Sequence, residues 1–202
     1  MTAPDPVHSP RYRPEPGFSF LIGIAAIIGL SALLPASAAD LFAFLRSKLP
    51  GEAWRAISAH LVHLNAAHAL MNAAALALLA ALFGRFMKTW QWLTFWLTAS
   101  VFVSVGLWWW LPGLERYVGA SGVLHGVAVL GGVVMFKPHR LEASLLLVGL
   151  LVKIGWEIQF GAADATADMI GGAVIEQAHW LGALYGAVVA CGWVIFRRAS
   201  RL

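Results

Sequence analysis

The hydrophobic positions of this chain fall into six long stretches, roughly Phe18 to Leu34, Leu61 to Phe83, Trp90 to Leu111, Ala120 to Phe136, Leu141 to Phe160 and Ala173 to Phe196. Each is near the ~20 residues that cross a hydrocarbon layer as a helix. The pattern predicts an all-α membrane protein, a six-transmembrane-helix bundle forming one domain over residues 17–197. A Pro-rich segment at 1–16 reads as a disordered tail, and residues 198–202 as a short basic C-terminus.

Composition agrees with the pattern. Sixty per cent of the residues are hydrophobic, 12% are charged and the mean hydropathy is +0.75, outside the range of a soluble domain. The first stretch ends in Ala36, Ser37 and Ala38, a small-x-small pattern like a signal-peptide cleavage site. That stretch is longer than a signal core, and the expectation is an uncleaved first helix. Cys191 is the single cysteine, which excludes an internal disulfide and a thiolate cluster.

Charge then gives orientation, because Lys and Arg are retained on the cytoplasmic side. Arg11, Arg13, Arg85, Lys88, Lys137, Arg140, Arg197, Arg198 and Arg201 fall on one side of the predicted spans. Arg46, Lys48, Arg55 and Arg116 fall on the other, among Asp40, Glu52, Glu115, Asp164, Asp168 and Glu176. Both termini are expected in the cytoplasm, and the net positive charge of +4 reads as a topology signal rather than a nucleic-acid surface. Trp108, Trp109 and Trp110 on the outer side and Trp90 and Trp92 on the inner side read as interfacial anchors.

Polar residues inside such spans are costly and are functional candidates for that reason. They are His60, His63, Asn65, His68 and Asn72 in the second stretch, Ser121 and His125 in the fourth, Lys153 and Glu157 in the fifth, and His179 in the sixth. Counted at 1.5 Å per residue from the cytoplasmic charges, His68 lies roughly 26 Å up, Asn72 roughly 20 Å, Ser121 roughly 24 Å and His179 roughly 27 Å. These four share one layer near the outer surface. Gly122 and Gly126, with Gly182 and Gly186, supply a small-xxx-small pair on the fourth and sixth spans, and a contact there brings Ser121 toward His179.

A serine hydroxyl needs an adjacent base before it becomes a useful nucleophile, and a neutral imidazole suits that task. His68 and Asn72, i and i+4 on one helical face, would offer hydrogen bonds to an oxyanion, as would the Ser121 N–H at a helix start preceded by Gly119. His125 stands one turn from Ser121, where it is a rival base, a supporting partner or a packing residue. Lys153 and Glu157 are spaced for an ion pair, with Glu157 near the depth of Ser121. His60 and His63 read as residues fixing a loop at the outer mouth. A metal site from His60, His63 and His68 is disfavoured, since His63 and His68 are about 140° apart on a helix, and no cofactor is expected.

Together these motifs are specific. "GASG" at Gly119 to Gly122, "AHWLGALYG" at Ala178 to Gly186, the His63, His68 and Asn72 spacing, and the outer-loop pair Trp54 and Arg55 resemble the rhomboid intramembrane serine proteases. The resemblance implies a rhomboid-like six-helix fold with Ser121 as nucleophile and His179 as base, a dyad with no acidic third member. It also implies oxyanion support from His68 and Asn72, and substrate access beside the fifth span. The extended "GASGVLHG" is similar to the rhombosortase branch. That similarity implies a bacterial inner-membrane enzyme acting on exported proteins with a C-terminal Gly-Gly motif, a transmembrane helix and a basic cluster, with or without an accessory membrane protein. Two other readings are a catalytically silent helix-binding scaffold, against which the intact Ser and His speak, and a small polar-solute or metal transporter, which would want polar groups continuing to the inner face.

Overall fold

The computed structural model describes residues 15–199; residues 1–14 of the expected 1–16 tail and residues 200–202 of the expected basic C-terminus lie outside them. The chain forms α1 (Pro16–Leu30), α2 (Ala36–Phe42), β1 (Phe44–Leu45), α3 (Arg55–Ser58), α4 (Ala66–Phe83), α5 (Thr89–Trp110), β2 (Arg116–Tyr117), α6 (Ser121–Met135), α7 (Arg140–Phe160), α8 (Asp164–Ile170) and α9 (Glu176–Ala199). Each of the six apolar stretches corresponds to one helix, α1, α4, α5, α6, α7 and α9 in turn. Four of these helices are long and apolar enough to cross a membrane: α1, α4, α5 and α9, counting the short 3₁₀ extensions of α1 and α4. Helix α6 has only 15 residues, and α7 is long enough but carries Arg140, Glu142, Lys153 and Glu157.

Helix α6 is central, with buried residues on all sides from Gly122 to Met135. It packs most intimately on α9, where glycines remove the side chains that would hold two backbones apart. A Cβ on Gly126 would stand 2.7 Å from the carbonyl oxygen of Gly182, and one on Gly186 would stand 2.5 Å from that of Gly126. The main core joins Leu21 and Ile28 of α1, Leu76 and Phe83 of α4, Trp92 and Phe95 of α5, and Val123, Val127 and Leu130 of α6. Trp92 belongs to this core with 0% exposure, which corrects its reading as an interfacial anchor: it lies one turn into α5, on the face turned to α1. Trp90, Trp108, Trp109 and Trp110 are exposed as expected.

Hydrophobicity gave no reading of the segment between α1 and α4, because it is neither apolar nor periodic. Antiparallel pairing of Phe44 with Tyr117 and Leu45 with Arg116 ties it to the segment before α6. Arg46 donates to the carbonyl oxygens of Trp108 and Leu114, each at 2.9 Å, and so occupies the unpaired C-terminal carbonyls of α5 and the turn beyond. The chain reaches Ser121, the first residue of α6, through this folded segment.

Candidate active site

Helix α4 starts later than the apolar stretch implied. Asn65 is extended (φ −154°) and its side chain accepts the His68 N–H at 2.8 Å, an N-cap that ends the loop and opens the helix. His60 and His63 therefore sit in the loop, while His68 and Asn72 are on α4. The loop histidines hold the turn that precedes Ser121. The Ala120 N–H donates to His63 Nε2 at 3.4 Å, and His63 Nδ1 donates to Ser31 Oγ at 3.2 Å. A His60 ring nitrogen contacts the Gly119 carbonyl oxygen at 3.2 Å, and the Tyr117 hydroxyl donates to the same oxygen at 3.0 Å. Burial pushes His60 down to about 4; burial, with His68 and His60 nearby, pushes His63 down to about 3. A neutral His63 is what the bonding requires, since Nε2 must accept.

Gly119 adopts φ +119°, a conformation costly for any other residue. A Cβ there would also meet His68, 2.8 Å from its Cε1. Its N–H is engaged by the Ala59 carbonyl oxygen at 2.9 Å, so Gly119 shapes the site by conformation and close approach and is no free donor. Ser121 follows as the first residue of α6, where backbone N–H groups lack intrahelical partners.

Across the glycine seam, the Ser121 hydroxyl lies 3.0 Å from His179 Nε2. His179 is buried at 6% exposure and its other nitrogen lies 2.9 Å from Glu157 Oε2. Glu157 Oε1 accepts from Lys153 Nζ at 2.6 Å, the ion pair expected from their spacing. An acidic neighbour of His179 thus stands where the resemblance implied none; it comes from a different helix, so no local spacing announced it. His125 stacks on His179 with ring centroids 4.2 Å apart and interplanar angle 17°. Its Nδ1 contacts the Ser121 carbonyl oxygen at 2.7 Å and its Nε2 the Lys153 ammonium at 3.1 Å. Neither His125 nitrogen contacts the Ser121 hydroxyl, whereas His179 Nε2 does.

His68, Asn72, Tyr117, Ser121, His125, Lys153, Glu157 and His179 line one cavity of about 720 Å³, walled by α4 on one side and α7 on the other. His68 Nδ1 is buried without a partner, and Asn72 Nδ2 donates to the His68 carbonyl oxygen at 3.0 Å. Trp54 and Arg55 are not part of this lining. Trp54 is exposed, and Arg55 is buried at the start of α3, donating to the carbonyl oxygens of Asp40 (2.9 Å) and Ala43 (2.8 Å) and to Glu52. Tyr117 escaped the sequence reading, since a single tyrosine in the short segment before α6 carries no pattern.

His125, Glu157 and His179 offer metal-ligand atoms within 4.8 Å of one another. The Lys153 ammonium already bridges two of them, and nearly parallel imidazoles send their lone pairs side by side rather than to a common point. The cluster fits a cationic side chain better than a metal ion. The arrangement suits acyl-transfer chemistry: a hydroxyl on an imidazole nitrogen, in a cavity beside unpaired backbone donors. The Rhomboid domain matches the chain over residues 50–198. No curated protein matches it.

Proposed function

The chain belongs to the rhomboid family of intramembrane serine proteases, and from that premise we propose that it is an active endopeptidase whose nucleophile is Ser121 and whose base is His179. The observation that carries this reading is the 3.0 Å contact between Ser121 Oγ and His179 Nε2. On attack, Ser121 Oγ bonds to the scissile carbonyl carbon and its proton passes to His179 Nε2. The oxyanion takes hydrogen bonds from the Ser121 N–H, His68 and Asn72. Collapse breaks the C–N bond, His179 returns the proton to the leaving amine, and water then releases the acyl group as a carboxylic acid. Six helices cross the bacterial inner membrane with both termini cytoplasmic, a topology supported by the Lys and Arg distribution.

The substrate is a single-pass protein admitted between α4 and α7 and cut near the outer face, with a Gly-Gly motif ahead of its helix and a basic cytoplasmic end. Glycine suits this task, since an attackable carbonyl requires a locally unwound segment. Ser121→Ala and His179→Ala are each expected to abolish cleavage of a tailed reporter at unchanged expression and Tm. A Ser121→Ala variant that cleaves as wild type sinks the protease reading. Replacing both reporter glycines by leucine is expected to suppress cutting; undiminished cutting, mapped by mass spectrometry, removes the sorting role and leaves the protease.

A further inference from the structure

Glu157 has no part in the two-residue chemistry above, yet the donors and acceptors around it assign themselves in sequence. Lys153 Nζ has only hydrogens to offer, and donates to Glu157 Oε1 at 2.6 Å and to His125 Nε2 at 3.1 Å. A His125 that accepts at Nε2 carries its proton on Nδ1, which donates to the Ser121 carbonyl oxygen at 2.7 Å. The second carboxylate oxygen of Glu157 can only accept, so the hydrogen of the 2.9 Å contact is on His179 Nδ1. In the neutral ring this tautomer puts the lone pair on His179 Nε2, facing the Ser121 hydroxyl at 3.0 Å. The circuit begins at the Ser121 carbonyl and closes at the Ser121 hydroxyl, and no group is asked to donate and accept through the same atom.

We infer that Glu157 is the positioning residue of the reaction: its carboxylate holds His179 in the one tautomer able to take the serine proton, and offsets the imidazolium charge once it does. The inference rests on the protease reading. An ion pair that merely neutralised Lys153 would need only the i, i+4 contact; it would not need the second oxygen on His179 nor Lys153 reaching to His125. The charged and titratable groups around His179 are Glu157 and Lys153 from α7, His125 from α6 and His68 from α4. Of these, Glu157 alone bonds Nδ1. Helix α7 buries only Ala143, so the acid that orients the base is carried by the most loosely packed long helix, and readiness of the base depends on how α7 seats against α9.

The test uses the full chain in detergent, a single-pass reporter and a fluorophosphonate probe, with Glu157→Gln, Glu157→Asp, Lys153→Gln and the Glu157→Gln, Lys153→Gln double variant. Glu157→Gln is expected to lower kcat by about 10²- to 10⁴-fold, the scale of losing the acid beside a catalytic histidine, with KM within about twofold and Tm unchanged. Glu157→Asp should recover part of the loss, and Lys153→Gln should cost far less. The double variant, which leaves no unpaired charge and so guards against misfolding, should remain as slow as Glu157→Gln. A double variant restored to the wild-type rate, or Glu157→Gln turning over at wild-type kcat while Ser121→Ala is inert, overturns the inference and leaves the protease reading intact. Wild-type cleavage by Ser121→Ala overturns both.

Discussion

Gly126 of α6 and Gly182 of α9 meet backbone to backbone: a Cβ on Gly126 would stand 2.7 Å from the Gly182 carbonyl oxygen and 3.1 Å from the Phe95 ring. Neither neighbour can yield cheaply, one being main chain and the other a buried ring. Gly126→Ala is therefore expected to push α6 from α9, lengthen the Ser121 to His179 contact and lower stability by about 1–3 kcal/mol. Gly192→Ala, also on α9 but with nothing within 4 Å, should leave Tm and cleavage unchanged. Thermal unfolding and reporter cleavage of the two variants check the contrast; equal behaviour would count against the seam.

His68 and Asn72 share the cavity with Ser121, and His68 Nδ1 has no protein partner. If they serve the oxyanion, His68→Ala and Asn72→Ala should each lower kcat by about 10- to 10³-fold with little change in KM. Probe labelling at Ser121 should slow in parallel while Tm holds. A rise in KM alone would make them substrate-binding residues instead.

Stability should depend on pH through the loop histidines. His60 and His63 are held down to about 4 and about 3 by burial, against about 6.5 in the unfolded chain. Between those values the unfolded state binds more protons, so stability rises with pH. Their contribution is complete above about pH 6.5 and is lost progressively as pH falls from there toward the lower values. Tm in detergent is expected to drop from pH 7.5 to pH 5, and His63→Gln should flatten the slope. A Tm that does not change over this range would contradict the assignment.

Arg55 and Trp54 are neighbours in sequence with opposite expectations. Arg55 is 3% exposed and Trp54 55%. Arg55→Met strands the carbonyl oxygens of Asp40 and Ala43 and should cost on the order of 2 kcal/mol or more. Trp54→Ala should change stability by less than about 0.5 kcal/mol. Unfolding curves of both variants decide it, and a stable Arg55→Met would mean the outer loop is held by other contacts.

Whatever repeats along a single helix was legible in the sequence. The i, i+4 spacing put His68 with Asn72, Lys153 with Glu157, and Gly122 with Gly126, because 3.6 residues per turn fix neighbours on one helix without reference to any other. Counting a constant rise along each helix predicted that His68, Asn72, Ser121 and His179 share one cavity, and they do line a common one. The rotation of one helix against another carries no such rule. It follows from the sum of many side-chain contacts across the bundle, and it alone decided that Glu157 of α7 meets His179 of α9 and that Trp92 turns inward to the core. Loop geometry is equally non-local. The start of α4 at Ala66 and the grip of His63 on Ala120 depend on an Asn65 cap and a bond spanning 57 residues, which apolar periodicity does not encode.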